Sequence, residues 1–154
     1  ASPDISGLIG QYAHGNEPSH HIIYFYSMAG RRDKAAEKVR EVLSTMYLLG
    51  PNGLCGNEDE GEMSAWYVLS SLGIFEPEPA STKFWFGSPI FDKATIAVPG
   101  GVFTIKSVNN STGNIYIQSA TLNGKACEHN YIEFSDIKAG GELVFTMGPD
   151  PKAE

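Results

Sequence analysis

Two short stretches of the sequence concentrate polar side chains that could do chemistry. The first is YAHGNEPSHH at residues 12–21, and the second is GNEDEGE at residues 56–62. Each stretch precedes a predicted helix, so both could present their side chains at helix N-termini on one end of a helical assembly. If those helices are neighbours, the carboxylates of Glu17 and Asp59 could meet across a cleft. Oxygen donors of this kind are the ligands that Ca²⁺ prefers, and paired carboxylates are what glycoside hydrolysis requires.

Ordinary structural roles stay open for the same residues. Asp59 and Glu62 have the spacing of a helix capping box, and Asn16 is a suitable helix cap by itself. The acidic run at residues 58–60 is also typical of a solvated face, and it lacks the spacing of an EF-hand loop. The two adjacent histidines do not match the zinc-binding HExxH pattern, and one of them is expected to face a packed core.

The charge balance narrows the class of partner. The chain has 154 residues, with 11 Lys and Arg against 18 Asp and Glu and a net charge of −7. An acidic balance disfavours a general binder of nucleic acid or of an anionic membrane surface.

No run approaches the roughly 18 apolar residues of a membrane span. The spacing of Cys55 and Cys127 matches no zinc signature. Since the chain does not begin with methionine, we expect it to be processed or cut from something longer.

Helix signals fill residues 1–88. An apolar run at 22–28 ends at a glycine, an amphipathic stripe covers 31–49, and a third helix is predicted from about residue 59 to Gly73. Three helices make a poor free-standing core for the many aromatic side chains in this part of the chain. We therefore infer that they form one sector of a larger helical assembly.

Strand signals fill residues 89–154. Short segments rich in Ile, Val, Thr, Tyr and Phe predict strands at 94–98, 102–108, 114–122, 131–134 and 142–147. The Asn123-Gly124 pair predicts a tight hairpin. Helices followed by strands indicate an α+β fold, with a helical segment over 1–88 and an antiparallel β-rich region over 89–154.

The sequence closely resembles glycoside hydrolase family 92. The resemblance is carried, in order and over essentially the whole chain, by residues 12–21, 51–59, 63–68, 87–93 and 114–124. Members of this family are calcium-dependent, inverting exo-α-mannosidases, common in bacteria that degrade glycans, with an N-terminal β-sandwich and an (α/α)₆ barrel. The chain is far shorter than such an enzyme. The resemblance therefore implies a C-terminal piece, in which the last barrel helices are followed by a small antiparallel β-sheet region.

The resemblance also implies roles for residues in the two polar loops. The implied catalytic residues are Asp59, which would activate water or hold the cation that orients it, and Asn57. The implied substrate-binding residues are His14, Glu17 and Glu58. The implied Ca²⁺ ligands are Asn16, Glu17 and Asp59. The proposed role of the calcium ion is to orient sugar hydroxyls and to favour distortion of the sugar ring.

Two departures from the family pattern affect the expected activity. Many members carry Asp where this chain has Asn57, and an amide cannot act as a base. The general acid lies upstream in the family and is absent here, whereas an inverting mechanism needs an acid and a base roughly 6.5–9.5 Å apart. We therefore expect part of an α-mannosidase that is inactive by itself. A non-catalytic carbohydrate-binding module and a purely structural module stay open as alternatives.

The implied partners are mannose-containing glycans and the remainder of the enzyme, namely the N-terminal β-sandwich and the upstream barrel helices. Exposed apolar surface left by the missing part of a barrel also predicts oligomerisation. The resemblance further implies a secreted, periplasmic or cell-surface location in a bacterium.

Overall fold

The computed structural model describes residues 5–153 and arranges them as helices followed by sheets, in agreement with the predicted α+β class. The helices are α1 (Phe25–Met28), α2 (Arg32–Thr45), α3 (Glu62–Leu72) and α4 (Phe134–Ala139). Short 3₁₀ turns at Glu17–Ser19 and Ile22–Tyr24 lead into α1. Within residues 5–153, no helix has the length and apolar character needed to cross a bilayer.

Helix α2 buries the predicted apolar stripe, whose members include Ala35, Val39, Val42 and Leu43. It ends at Thr45, four residues before the predicted end, because the chain then leaves the helix to form a β-bridge. Tyr47 pairs with Leu54 in an isolated bridge. The apolar face of α2 packs with Trp66 of α3 in a helical core.

The described residues also contain ten strands. They are β1 (Leu8–Ile9), β2 (Tyr12–Ala13), β3 (Ile74–Phe75), β4 (Lys83–Phe86), β5 (Lys93–Val98), β6 (Gly101–Val108), β7 (Tyr116–Leu122), β8 (Lys125–Ala126), β9 (Tyr131–Glu133) and β10 (Gly141–Gly148). Strands β1 and β2 form a hairpin, and β3, β4 and β9 form a three-stranded sheet. The remaining strands form a five-stranded sheet in the order β5-β6-β10-β7-β8.

The five-stranded sheet is mixed, which corrects the antiparallel prediction. Strand β10 lies between β6 and β7, and it pairs parallel with β6 and antiparallel with β7. The sequence pattern located these strands but could not show that the last one inserts between two earlier ones. Alternate side chains of β6 and β10, including Phe103, Leu143 and Phe145, point into a second core beneath this sheet.

Two local predictions in this half had different outcomes. The hairpin at Asn123-Gly124 is confirmed, since both residues adopt the positive φ angles, 50° and 81°, that a tight β7–β8 turn requires. Phe134, predicted to end a strand, instead begins α4. A capping box between Glu133 and Asp136 starts that helix and turns the chain out of β9.

The two parts of the chain are joined across residue 88. Strand β9 pairs with β4, so the three-stranded sheet contains strands from both sides of the predicted boundary. Arg40 of α2 donates to the Ser88 hydroxyl at 2.8 Å and also to the Pro89 carbonyl and the Asn110 side chain. Burial lowers the pKa of Arg40. A partly buried cation held by neutral oxygens thus ties the helices to the loops around the sheet.

Candidate active site

The two polar loops lie against each other at a pair of glycines. Gly15 and Gly56 directly precede Asn16 and Asn57 in the sequence. Their backbones are so close that a Cβ on Gly56 would lie 2.5 Å from the Gly15 Cα. The loops that carry the predicted site residues are therefore neighbours, as the sequence analysis required.

The carboxyl groups of Glu17 and Asp59 interact across this contact. Glu17 begins a 3₁₀ turn in the first loop, and Asp59 lies exposed in the second. A side-chain hydrogen bond to Asp59 raises the pKa of Glu17, and the negative charge of Asp59 acts in the same direction. Two carboxyl groups in contact share a proton or require a cation between them. The structure thus brings together the two carboxylates that were expected to meet.

A left-handed run of backbone precedes α3. Asp59, Glu60 and Gly61 have φ angles of 43°, 58° and 96°. Each non-glycine residue in this region costs about 1–2 kcal/mol. The run places Gly61, which has no side chain that could cap, at the N-cap position of α3. The predicted capping box of Asp59 with Glu62 is therefore wrong, because the helix begins too late for Asp59 to cap it.

Glu58 caps helix α3 instead. Its two carboxylate oxygens accept hydrogen bonds from the Ser64 amide at 3.0 Å and from the Ser64 hydroxyl at 2.8 Å. A carboxylate at a helix N-terminus satisfies an unpaired amide and interacts favourably with the helix dipole. The structure therefore gives Glu58 a structural role, and the substrate-binding role that the resemblance implied stays a prediction.

His14 is fully buried, and hydrogen bonds occupy both of its ring nitrogens. Nδ1 lies 2.6 Å from the Tyr12 hydroxyl, and Nε2 lies 2.7 Å from the Tyr47 hydroxyl. Because Tyr47 donates to the Met63 carbonyl, His14 must donate from Nε2 and accept at Nδ1. Burial, with a smaller contribution from His20, lowers the pKa of His14 to about 3. No surface of His14 remains for a sugar, and the ring holds the first loop in place.

His20 connects the same loop to α3. Its Nε2 donates to the His14 carbonyl at 2.9 Å, and its Nδ1 lies 3.3 Å from a carboxylate oxygen of Glu62. The Trp66 indole donates to the His20 carbonyl at 3.2 Å. His20 is buried, which confirms that one of the two adjacent histidines faces a packed core.

An open groove of about 750 Å³ begins beside this network. Its polar end is formed by Glu17, His20, His21 and Glu62, and its apolar walls include Phe25, Phe75 and Phe84. Among the described residues that line it, Glu17 is the one member of the predicted site. No sequence pattern predicted Glu62 in this groove, because its spacing from Asp59 indicated a cap.

The two loops carry side-chain oxygen donors that could hold a cation. Residues 5–153 contain no group of three or more His, Cys, Asp or Glu side chains placed to hold a metal. Calcium also takes amide and backbone oxygens, with six to eight ligands in total. Glu17 and Asp59 offer carboxylates, and Asn16 offers an amide with no capping bond within the described part of the chain. A divalent cation could replace the proton of the carboxyl pair, with further ligands from water, sugar or other protein residues.

Comparison with known proteins identifies the class. Residues 1–149 match the family model of the glycosyl hydrolase family 92 catalytic domain. The chain belongs to glycoside hydrolase family 92.

Similar proteins come from a fungus and from a bacterium. A protein of Arthroderma benhamiae described as an uncharacterized secreted glycosidase is 33% identical over 140 residues, which cover 88% of this chain and 18% of the relative. A family GH92 α-mannosidase of Bacteroides thetaiotaomicron, solved with mannoimidazole, superposes with a TM-score of 0.91 at 35% identity over 97% of this chain and 20% of its own. A GH92 inverting mannosidase of the same species gives 0.84 at 40% identity, over 92% of this chain and 19% of its own. The chain thus spans about a fifth of the length of these relatives.

Proposed function

We propose that this chain forms the base-side and cation-binding part of an inverting exo-α-mannosidase that removes α-linked mannose from glycans. The contact between the two loops at Gly15 and Gly56, which places the carboxyl groups of Glu17 and Asp59 close together, is the observation that carries the proposal. Membership of family 92 and the similarity to bacterial enzymes named as mannosidases support the substrate class.

Asp59 is the general base in this proposal. In an inverting hydrolysis, the base takes a proton from water as the water attacks the anomeric carbon, while an acid on the other face protonates the leaving oxygen. Asp59 would take that proton, because its carboxyl group is exposed beside Glu17 at the point where the two loops meet. Asn57 is exposed next to this pair in the sequence and would orient the water through its amide.

Asn16, Glu17 and Asp59 would hold Ca²⁺, and Glu17 would also face the sugar from the groove. When bound, the ion would supply positive charge that orients sugar hydroxyls and favours ring distortion. The chain's own contribution is to hold oxygen donors on two loops whose backbones are already in contact.

The general acid and the rest of the sugar site would come from outside this chain. The relatives are about five times longer, so we propose that their remaining length, including a β-sandwich and upstream barrel helices, completes the enzyme. Exposed apolar side chains in the helical half, among them Phe25, Tyr26 and Leu49, support contact with further protein or with another copy. The relative described as secreted supports a location outside the cytoplasm.

Isothermal titration with Ca²⁺ tests the cation site on the chain itself. We expect binding by the unmodified chain, loss of binding by Asp59→Ala, and unchanged binding by the neighbouring control Glu60→Ala. Equal binding by Asp59→Ala and the unmodified chain would contradict the assignment of Asp59 as a ligand.

Hydrolysis of an aryl α-mannoside tests the division of roles. The isolated chain is expected to show no turnover, because it lacks an acid opposite Asp59. Robust turnover by the chain alone would overturn that division. Mannose binding that is unaffected by Asp59→Ala would instead favour a non-catalytic carbohydrate-binding module.

A further inference from the structure

Gly15 and Gly56 form a direct contact between the backbones of the two site loops. A Cβ built on Gly56 would lie 2.5 Å from both the Cα and the carbonyl oxygen of Gly15. From the other side, a Cβ on Gly15 would lie 3.2 Å from the Gly56 Cα and 3.1 Å from the Cys55 carbonyl oxygen, and it would also meet the Ser6 hydroxyl. Backbone atoms cannot rotate aside as the end of a side chain can. Any side chain at Gly56 must therefore push the loops apart.

Space, and not backbone conformation, requires glycine at these two positions. Neither residue is among the glycines with positive φ, whereas Gly61 in the same region has a φ of 96°. Their φ angles are therefore in the range that alanine adopts. The effect of a substitution would therefore report the separation of the loops alone.

Both loops are also anchored by other contacts. The first loop is tied to α3 by the Trp66 indole and by His14, which bonds Tyr47, whose hydroxyl donates to the α3 backbone. The second loop leads into α3 through the Glu58–Ser64 cap. Because each loop has fixed neighbours, neither loop can move freely to make room for a side chain between the glycines. Such a side chain must therefore increase the separation of the loops at Glu17 and Asp59, which follow the glycines in the sequence.

We infer that Gly15 and Gly56 are positioning residues, whose backbone contact sets the distance between the side chains of Glu17 and Asp59. The same arrangement stands in both loops, with Gly-Asn-Glu at residues 15–17 and at residues 56–58. The inference rests on the proposed function for the catalytic importance of that distance, but the distance itself can be measured without calcium or mannoside.

Thiol cross-linking measures the distance directly. The reference variant carries Glu17→Cys and Asp59→Cys, with Cys55→Ser and Cys127→Ser to remove the native thiols. Dibromobimane, a short reagent that fluoresces once both arms have reacted with thiols, reports the rate at which the two positions are joined. Gly56→Ala in this background is expected to slow joining by about tenfold or more, since intramolecular reactions depend steeply on separation.

Gly113→Ala is the matched control, because a Cβ there would have only the Ser111 hydroxyl within range, at 4.0 Å. It should join at the reference rate. Each variant is measured at the same interval below its own melting temperature. Slower joining then reports the separation of the two thiols and not unfolding. An unchanged rate in a folded Gly56→Ala variant would overturn the inference.

Gly15→Ala keeps the inference testable if Gly56→Ala does not fold. A Cβ at Gly15 would have longer contacts with backbone atoms than one at Gly56, so we expect a smaller decrease in the rate of joining. An unchanged rate in Gly15→Ala would contradict the inference. If the joining rate depends on the glycines but the protein neither binds Ca²⁺ nor contributes to mannoside hydrolysis, the proposed function alone is refuted. If the joining rate is the same with and without the two glycines, the positioning role alone is refuted.

Discussion

The carboxyl groups of Glu17 and Asp59 interact, although the two residues lie on different loops. The contact raises the pKa of Glu17 above its ordinary value of 4.5. As pH rises above 4.5, the unfolded chain therefore releases a proton that the folded chain still holds. Folding then becomes less favourable as pH rises through this window, and the opposing carboxylates are the cause.

Asp59→Asn should remove this pH dependence. The variant has no second negative charge, so the pKa of Glu17 should fall and the free energy of unfolding should decrease less between pH 4 and pH 7. Denaturant unfolding at a series of pH values, in the presence of a calcium chelator, measures the effect. Glu60→Gln, in the same turn, should keep the profile of the unmodified chain. Parallel profiles for Asp59→Asn and the unmodified chain would show that the two carboxyls do not interact.

His14→Gln should make the chain less sensitive to acid. Burial lowers the pKa of His14 from 6.5 to about 3, so the unfolded chain binds a proton that the folded chain excludes over that range. The contribution of neutral His14 to the free energy of unfolding is fully present above pH 6.5. It is lost as the pH falls towards 3, by up to about 1.4 kcal/mol per pH unit. The glutamine variant should be less stable at pH 7 by about 1–3 kcal/mol, because the partly buried hydroxyls of Tyr12 and Tyr47 lose their partner.

His129→Gln provides the comparison, since His129 is exposed. Its unfolding profile between pH 7 and pH 4 should follow that of the unmodified chain. An acid transition that stays the same in His14→Gln would mean that another group carries the dependence.

Glu58→Ala should reduce stability without abolishing calcium binding. The substitution removes the acceptor of the Ser64 amide, and loss of an N-terminal cap costs about 0.5–2 kcal/mol. Thermal unfolding measures the loss, and calcium titration of the same sample separates capping from ligand binding. If the calcium affinity of Glu58→Ala falls as far as that of Asp59→Ala, Glu58 belongs to the binding site.

Arg40→Met should weaken the junction between the helices and the sheet. The variant keeps much of the side-chain volume but leaves the Pro89 carbonyl and the Asn110 side chain without their donor. Loss of such a partner costs about 1–3 kcal/mol. Lys38→Met on the same helix removes only a surface ion pair with Glu41, worth at most about 1 kcal/mol. Equal unfolding midpoints for the two variants would argue against a role for Arg40 at the junction.

Local signals in the sequence were sufficient for much of this fold. The stripe of α2, the strands of the second half and the turn at Asn123-Gly124 follow from side-chain periodicity and turn chemistry, which act over a few residues. The early end of α2 did not follow, because it depends on the pairing of Tyr47 with Leu54. The short strands β3 and β4 were also missed, since they are defined by their partners.

The candidate site was predictable to the level of its loops but not of each side chain. Residue types alone placed Glu17 and Asp59 as a possible pair, and their contact agrees with that expectation. Glu58 and Asp59 are adjacent acids, and only the left-handed run before α3 shows which of them caps the helix. The burial of His14 involves Tyr47, which lies 33 residues away, as well as the nearby Tyr12, so a local pattern alone could not have shown it.

The position of β10 affects how the protein can be made. This strand is the last of its sheet to leave the ribosome, yet it lies between β6 and β7. Until residues 141–148 emerge, those two strands each have an open edge where the partner belongs, and open edges can pair wrongly with each other or with a neighbouring chain. Folding of the sheet is therefore a late event in synthesis, and mutations that delay β10 should reduce the yield of folded protein more than its final stability.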